Sequence, residues 1–185
     1  MFEFLKDNII AILALLVSVA GFVLSYKGHK KSVVKLKISS ICQNNIFIES
    51  IDNDPYNLII IDLLIENAST AEVDISKVRL VNEKHKYIAS YVPMNDKLNP
   101  NGISLINDTT NEIIKYNTSS ENILMNSRIS SYGVVQGFVV FYGVDQIHNK
   151  ELFKVIVDTP VESFNTDIYV NLCPSGFRRM FKLKQ

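Results

Sequence analysis

Few residues of this 185-residue chain have the types and spacing that chemistry requires. Its three histidines, His29, His85 and His148, lie in polar or basic surroundings and are not paired in sequence. His85 stands within Glu83-Lys-His-Lys86, a run typical of a hairpin tip. Because the chain also lacks H-E-x-x-H, G-x-S-x-G and P-loop motifs, the histidines predict neither a metal site nor a general base.

Asp52-Asn53-Asp54 begins like a calcium-binding loop, in which alternating carboxylate and amide oxygens surround the cation. Such a loop needs glycine at its sixth position and a bidentate glutamate at its twelfth, where this chain has Asn57 and Leu63. Aspartate and asparagine before Pro55 are typical of a turn. We therefore expect a turn here and no metal site.

A further candidate is Cys173-Pro-Ser-Gly-Phe-Arg-Arg179, whose C-x-x-G-x-x-R spacing follows a predicted strand and resembles the active-site loop of cysteine-dependent phosphatases. In that family the loop amides and the arginine hold a phosphate, and a helix N-terminus lowers the pKa of the attacking thiol. Here Leu172 replaces the family's histidine, Met180 replaces its serine or threonine, and six residues remain for the helix. We expect no enzymatic activity, no catalytic residue and no cofactor.

Charge is distributed unevenly although its total is zero. Residues 38–177 carry nine Lys or Arg against seventeen Asp or Glu, whereas residues 27–37 and 178–184 carry five and four cations. A balanced total predicts no nucleic-acid partner. Cys42 and Cys173 are far apart and outside any zinc motif, so a single bridge between them is the one pairing left open.

The element that dominates the chain is an uncharged run of nineteen residues, 8–26, which follows a short tail, 1–7. As a helix it would be about 28 Å long, close to the roughly 30 Å hydrocarbon thickness of a bilayer. Eleven of its residues are Ile, Leu, Val or Phe, and together they favour insertion by roughly 5 kcal/mol. The run predicts a transmembrane helix.

Two alternatives to a membrane anchor fit the sequence less well. A core helix of a soluble domain would show a polar stripe or be shorter. A cleavable signal could end at Ser18-Val19-Ala20, but the preceding tail is not net positive and the apolar run continues through Leu24. We therefore expect an uncleaved anchor.

The charges beside this helix predict its orientation. Glu3, Lys6 and Asp7 precede it, whereas a basic juxtamembrane segment, 27–37, follows it and leads into the first strand. The cations of this segment are Lys27, Lys30, Lys31, Lys35 and Lys37. The positive-inside rule then places the main domain in the cytoplasm and the N-terminus outside.

One face of the helix carries only small residues, at spacings of three and four: Ala11, Ala14, Ser18, Gly21 and Ser25. Small residues let two helices approach closely in a membrane, which predicts self-association or docking on another membrane protein. Small residues are also common in membrane spans, so a chance alignment stays open.

After residue 31 the hydrophobic period changes from helical to two, which predicts strands. Residues 57–66 are continuously apolar apart from Asp62, as expected of a central strand buried on both faces. No long amphipathic helix follows, so the sequence favours an antiparallel two-sheet β-sandwich over residues 38–177. Further strands are expected at 34–38, 46–51, 73–81, 86–92, 103–107, 112–116, 137–144, 152–158 and 167–173, and a crossing between sheets at 95–102.

The runs 131–141 and 151–157 resemble the late hairpin of immunoglobulin-like domains in small anchored bacterial proteins, where a Gly-x-Val/Phe-x-Phe strand and its partner close the sandwich. That resemblance implies an immunoglobulin-like fold and a binding role. Abundant isoleucine and asparagine with no tryptophan is a composition common in low-GC bacteria.

The last segment, 178–185, is basic and interleaves apolar residues with cations, so it could lie on an anionic membrane leaflet. Its cations are Arg178, Arg179, Lys182 and Lys184. A solvated tail or a final strand is the alternative. The chain as a whole predicts a single-pass membrane protein with a cytoplasmic, non-enzymatic interaction or assembly module, and the alternative is a ligand-binding or surface module outside the cytoplasmic membrane.

Overall fold

A computed structural model describes residues 2–50, 56–91 and 99–179, apart from the side chains of residues 2–7, 10 and 29–32. One long helix is followed by a mainly β domain. The elements are α1 Phe2–Ser32, β1 Leu36–Ser40, β2 Ile46–Ile48, β3 Leu58–Asn67, β4 Val73–Asp74, β5 Lys77–Val81, β6 Lys86–Ile88, β7 Ile103–Asn107, β8 Ile113–Tyr116, β9 Arg128–Ile129, β10 Val134–Tyr142, β11 Glu151–Asp158, β12 Ser163–Leu172 and β13 Phe177–Arg179, with a 3-10 turn at Cys42–Asn44.

Eight strands form the main sheet, in which neighbouring strands are antiparallel with one exception. Its order is β1-β3-β2-β12-β11-β5-β6, with β10 paired to β3. The exception is β12, which runs parallel to β2 through Asn171 opposite Ile46 and Leu172 opposite Phe47. The prediction of a wholly antiparallel fold is therefore wrong, and the sheet is mixed.

This sheet curls round a core. Just beyond β6, Ser90 forms an antiparallel bridge with Val140 of β10, so the two ends of the sheet approach each other. Inward-facing side chains of β3, β5, β10, β11 and β12 fill the space between, among them Phe141, Phe153 and Leu80. In β5 and β11 the period-two alternation of apolar residues places the apolar side chains on the face towards this core.

Strand β3 is buried on both faces, as its continuous apolar run predicts. Ile59, Ile61 and Leu63 face the curled core, whereas Leu58 and Ile60 pack under a second sheet of order β13-β7-β8. A separate two-stranded sheet joins β4 to β9.

Asp62, which interrupts the apolar run of β3, lies between the residues of β3 that pair with β1 and those that pair with β2. Residues 41–45, which join β1 to β2, form a bulge at this point. Asp62 is 4% exposed. Its carboxylate accepts hydrogen bonds from the amides of Asn44 at 2.8 Å and Gln136 at 3.3 Å. A buried carboxylate needs such donors, and the bulge supplies Asn44 while β10 supplies Gln136.

The sheet has two rims, defined by strand direction. The helix-side rim, where β1 begins, comprises loops 33–35, 68–71, 130–133 and 159–162, because β3 and β11 end there and β10 and β12 start there. The far rim comprises loops 82–85 and 143–150. Of the predicted crossing at 95–102, residues 95–98 lie outside the described residues.

Candidate functional site

Helix α1 exposes its apolar side chains instead of packing on the β domain. The window Ala11–Gly28 has a mean hydropathy of 1.8, and none of it is buried. Leu16 is 60% exposed and Phe22 is 72% exposed. The helix is thus long and apolar enough to cross a membrane, and it extends beyond the predicted span of 8–26 at both ends.

The small-residue face lies wholly within α1. Ala11, Ala14, Ser18, Gly21 and Ser25 are all exposed. A methyl group placed on Gly21 would meet no other atom within 4 Å, so no part of the described chain covers this position. The face is therefore open to a neighbour.

The basic juxtamembrane residues fall in two settings. Lys27, Lys30 and Lys31 belong to the last turns of α1, although the side chains of Lys30 and Lys31 lie outside the described part. Lys35 is exposed in the linker before β1. Lys37 projects from β1 and pairs with Glu66 of β3 at 3.3 Å, with both side chains largely in solvent.

The beginning of the predicted basic tail belongs to the β domain. Phe177–Arg179 forms β13 and pairs with β7. Arg178 is half-exposed and ion-paired with Asp108, which lowers the pKa of that carboxyl. Arg179 is only 6% exposed, so its assignment as a membrane-surface cation is wrong: the register that places Arg178 outside turns the next side chain inward. Lys182 and Lys184 lie outside the described residues.

The loop before β13 does not provide the setting that a thiolate nucleophile requires. Burial raises the pKa of the Cys173 thiol to about 11, whereas reactive cysteines have lowered values. Residues 174–177 form a turn closed by the Phe177 amide donating to the Pro174 carbonyl at 3.1 Å, with Gly176 at φ +83°. A strand follows this turn, where phosphate-binding loops lead into a helix.

The two cysteines are free and differ in exposure. Cys42 is exposed in the bulge between β1 and β2, whereas Cys173 is half-buried, and its thiol points to the Phe177 carbonyl at 3.6 Å. Cys42 is therefore the thiol that a reagent in solution reaches first.

A cleft of about 760 Å³ lies at the far rim. Its wall combines the apolar side chains Val81, Leu152 and Phe153 with charged ones. The charged residues are Glu83, Asp145, Glu151 and Asp167 against Lys84 and Lys154. Four carboxylates against two ammonium groups make the lining net acidic.

Side-chain contacts hold one wall of this cleft. The Tyr87 hydroxyl donates to Asp145 at 3.0 Å, and burial is the main reason that the pKa of this phenol is raised. His85, at the tip of the β5–β6 hairpin as predicted, pairs with the same carboxylate. These contacts tie the hairpin to loop 143–150. Sequence spacing could not reveal them, because they join residues about sixty positions apart.

The remaining chemistry-bearing residues do not converge. Among the described residues, no group of three His, Cys, Asp or Glu side chains is placed to bind a metal ion. His148 is exposed, the His29 side chain lies outside the described part, and so do Asp52, Asn53 and Asp54.

Comparisons with known proteins assign no family. No protein-family model matches the chain, and no curated protein matches it significantly. Among the solved structures that match, Northeast Structural Genomics Consortium target SoR45 is similar at 11% identity and a TM-score of 0.31, covering 84% of this chain and 95% of that chain. A likeness at this level carries no argument about function.

Proposed function

We propose that the protein is a single-pass membrane protein in which α1 is the anchor and the β domain is a non-enzymatic interaction or assembly module on the cytoplasmic face. The observation that supports it most is the unburied apolar window Ala11–Gly28. In water this surface would be destabilising by roughly 25 cal/mol per Å². In a bilayer the apolar side chains contact lipid instead of water, and the helix satisfies the backbone hydrogen bonds internally.

The orientation rests on the cations that follow the helix. Lys27 lies at the end of the apolar window, Lys30, Lys31 and Lys35 follow it, and the one lysine before the window is Lys6. Short lysine-rich segments next to a membrane-spanning helix generally stay in the cytoplasm. The β domain follows that flank.

The far-rim cleft supports an interaction role. Small-molecule sites are mostly apolar with few polar groups, whereas charged side chains make up a large part of this lining. A net acidic, open cleft around Leu152 and Val81 suits a basic segment of a partner protein. Self-association through the small-residue face of α1 belongs to the same proposal.

The Cys42 thiol tests the topology. We expect a membrane-impermeant maleimide to leave Cys42 unlabelled in intact cells and to label it once the membrane is permeabilised, because this thiol is exposed on the β domain. The reporter chain carries Cys173→Ser, so that the half-buried thiol of Cys173 does not contribute to the labelling. Glu3→Cys in a Cys42→Ser, Cys173→Ser chain is the matched control and should label in intact cells.

The same experiment decides between this function and the second candidate, a ligand-binding module outside the cytoplasmic membrane. The size of the cleft is the observation that favours that candidate. Labelling of Cys42 in intact cells, with Glu3→Cys protected, would establish the outside placement and reject the cytoplasmic one.

A photo-crosslinking residue at Leu152 tests the interaction role. We expect a discrete crosslinked protein partner that disappears when Asp167→Lys reverses charge in the cleft. The matched position is Asn165, exposed on the same face of β12 and outside the cleft lining. Equal crosslinking from Asn165, or no effect of Asp167→Lys, would contradict recognition in the cleft.

A further inference from the structure

The helix-side rim carries the most exposed apolar side chains of the described β domain. Val161 is 80% exposed, Tyr132 is 68% exposed and Val134 is 60% exposed. Val161 lies in the β11–β12 turn, Tyr132 in the loop before β10, and Val134 at the first position of that strand. Large apolar groups with this exposure in water indicate a contact surface when they gather on one side of a domain.

Hydrogen bonds show that these loops belong to one rim. The Ala68 amide donates to the Lys35 carbonyl at 2.8 Å, and the Tyr132 amide donates to the Ser69 carbonyl at 3.2 Å. The Ser76 amide donates to the Asp158 carbonyl at 2.8 Å, where β11 turns towards Val161. The parallel pairing of β12 with β2 puts the start of β12 at the end where β1 begins.

The two rims differ in charge. Loops 68–71, 130–133 and 159–161 contain no Asp, Glu, Lys or Arg. The far-rim loops 82–85 and 143–150 contain Glu83, Lys84, Asp145 and Lys150. The rest of the helix-side rim carries two charged residues, Lys35 in loop 33–35 and Glu162 in loop 159–162, and Lys77 begins the neighbouring strand β5.

A short tether keeps this rim near the bilayer. Only residues 33–35 separate α1 from β1, and three residues span at most about 10 Å. Between Tyr26 and the end of α1 lie six residues, or about 9 Å of helix. The rim is therefore held within roughly 20 Å of the hydrocarbon edge, a distance that tilt of the helix shortens.

From these observations we propose that the helix-side rim rests on the lipid surface, with Val161 and Val134 inserted at the headgroup boundary and Tyr132 as an interfacial aromatic anchor. Tyrosine is enriched at that depth because its ring is apolar and its hydroxyl is hydrated. Tyr132 has φ +54°, a backbone conformation that bulky residues rarely adopt and that holds this residue at the loop surface. The inference rests on the membrane anchoring proposed above.

The absence of tryptophan from the chain makes a direct test simple, because each single substitution creates the only tryptophan. Full-length variants Val161→Trp and Tyr132→Trp are reconstituted in phosphatidylcholine–phosphatidylglycerol vesicles that contain shallowly or deeply brominated lipid. Leu152→Trp, half-exposed at the far rim, is the matched control, and Leu16→Trp reports on the anchor. Circular dichroism verifies folding of each variant.

We expect shallow bromine to quench the rim tryptophans about twofold more than Leu152→Trp, and deep bromine to quench Leu16→Trp. Quenched Leu16→Trp with unquenched rim positions would overturn the rim inference and leave the anchor in place. Unquenched Leu16→Trp would reject the anchor, and the rim inference with it. Blue-shifted rim emission without quenching by lipid would mean that another protein surface covers the rim, which also overturns the inference.

Discussion

Arg79 on β5 and Asp158 on β11 form a bidentate ion pair across neighbouring strands, diagonal to the Arg79–Ile156 register position. Both side chains are less than one-fifth exposed. Ser163 adds a third hydrogen bond to the same carboxylate at 2.6 Å. The guanidinium is the main reason that the pKa of Asp158 is lowered.

Substitution of Asp158 by asparagine should lower the free energy of unfolding by about 1.5 to 3 kcal/mol at pH 7. Because the folded pKa lies below the unfolded value of about 3.9, this contribution is complete above the unfolded pKa, decreases below it and is lost as the pH falls through the folded pKa. The difference between wild type and Asp158→Asn should therefore shrink towards about pH 3. Chemical denaturation in detergent micelles measures it.

The control for this experiment is Asp167→Asn, which removes an exposed carboxylate from the neighbouring strand β12. Its effect on the unfolding free energy should stay within about 0.5 kcal/mol. A gap between wild type and Asp158→Asn that is the same at both pH values would contradict the assigned ion pair.

Gly137 lies in β10 where the chain around Glu121 approaches the strand. A methyl group on Gly137 would stand 2.2 Å from the Glu121 carbonyl oxygen, which is backbone and cannot rotate away. Gly137→Ala should destabilise the domain by at least about 1 to 3 kcal/mol. Thermal unfolding followed by circular dichroism would show a lower Tm, whereas Asn165→Ala at an exposed strand position should change it little. Equal Tm values for both variants would contradict the close approach.

The two arginines of β13 should respond differently to truncation. Arg178→Ala removes a surface ion pair and should leave the free energy of unfolding close to that of the wild type. Arg179→Ala removes a buried side chain and its packing, and should cost about 1 to 3 kcal/mol. Denaturant titration of both variants gives the comparison. A larger loss for Arg178→Ala would contradict the observed register of β13.

Gly21 tests the helix face. Gly21→Ile adds bulk at the centre of the small-residue face and should weaken self-association about tenfold or more, because close helix approach depends on small side chains. Leu16→Ile changes the opposite face and should leave association unchanged. Analytical ultracentrifugation in detergent micelles compares the two. An unaltered oligomeric state in Gly21→Ile would reduce α1 to an anchor alone.

Most strand positions could be predicted from the sequence, because alternation of apolar residues is a local property. The strand expected at 103–107 is β7 as observed, and the apolar run around Asp62 is the doubly buried β3. Strand β9 was not expected, since two residues carry no measurable period, and a final strand such as β13 was only one alternative for the basic tail. The predicted strand at 167–173 starts later than β12, which begins at Ser163. In the first half of β12 polar exposed residues alternate with residues that are only half-buried, so the apolar signal there is weak.

The residues of the candidate site were harder to predict from the sequence. The helix length and the flanking lysines can be read from one continuous segment. The prediction that His85 lies at a hairpin tip also came from one short segment. The wall of the far-rim cleft joins Tyr87 and His85 to Asp145 through pairings of strands that no spacing encodes. Burial of Arg179 likewise depends on which side of β13 meets β7.

That an apolar helix precedes a β domain follows from the order of the residues, because hydrophobic length and period are set by neighbouring residues. The parallel pairing of β12 with β2 is a property of the folded chain, and it places Val161 on the rim where β1 begins. The tertiary structure also turns Arg179 inward and brings Arg79 to Asp158. These relationships depend on contacts between distant segments, which form only when the sheet closes round its core.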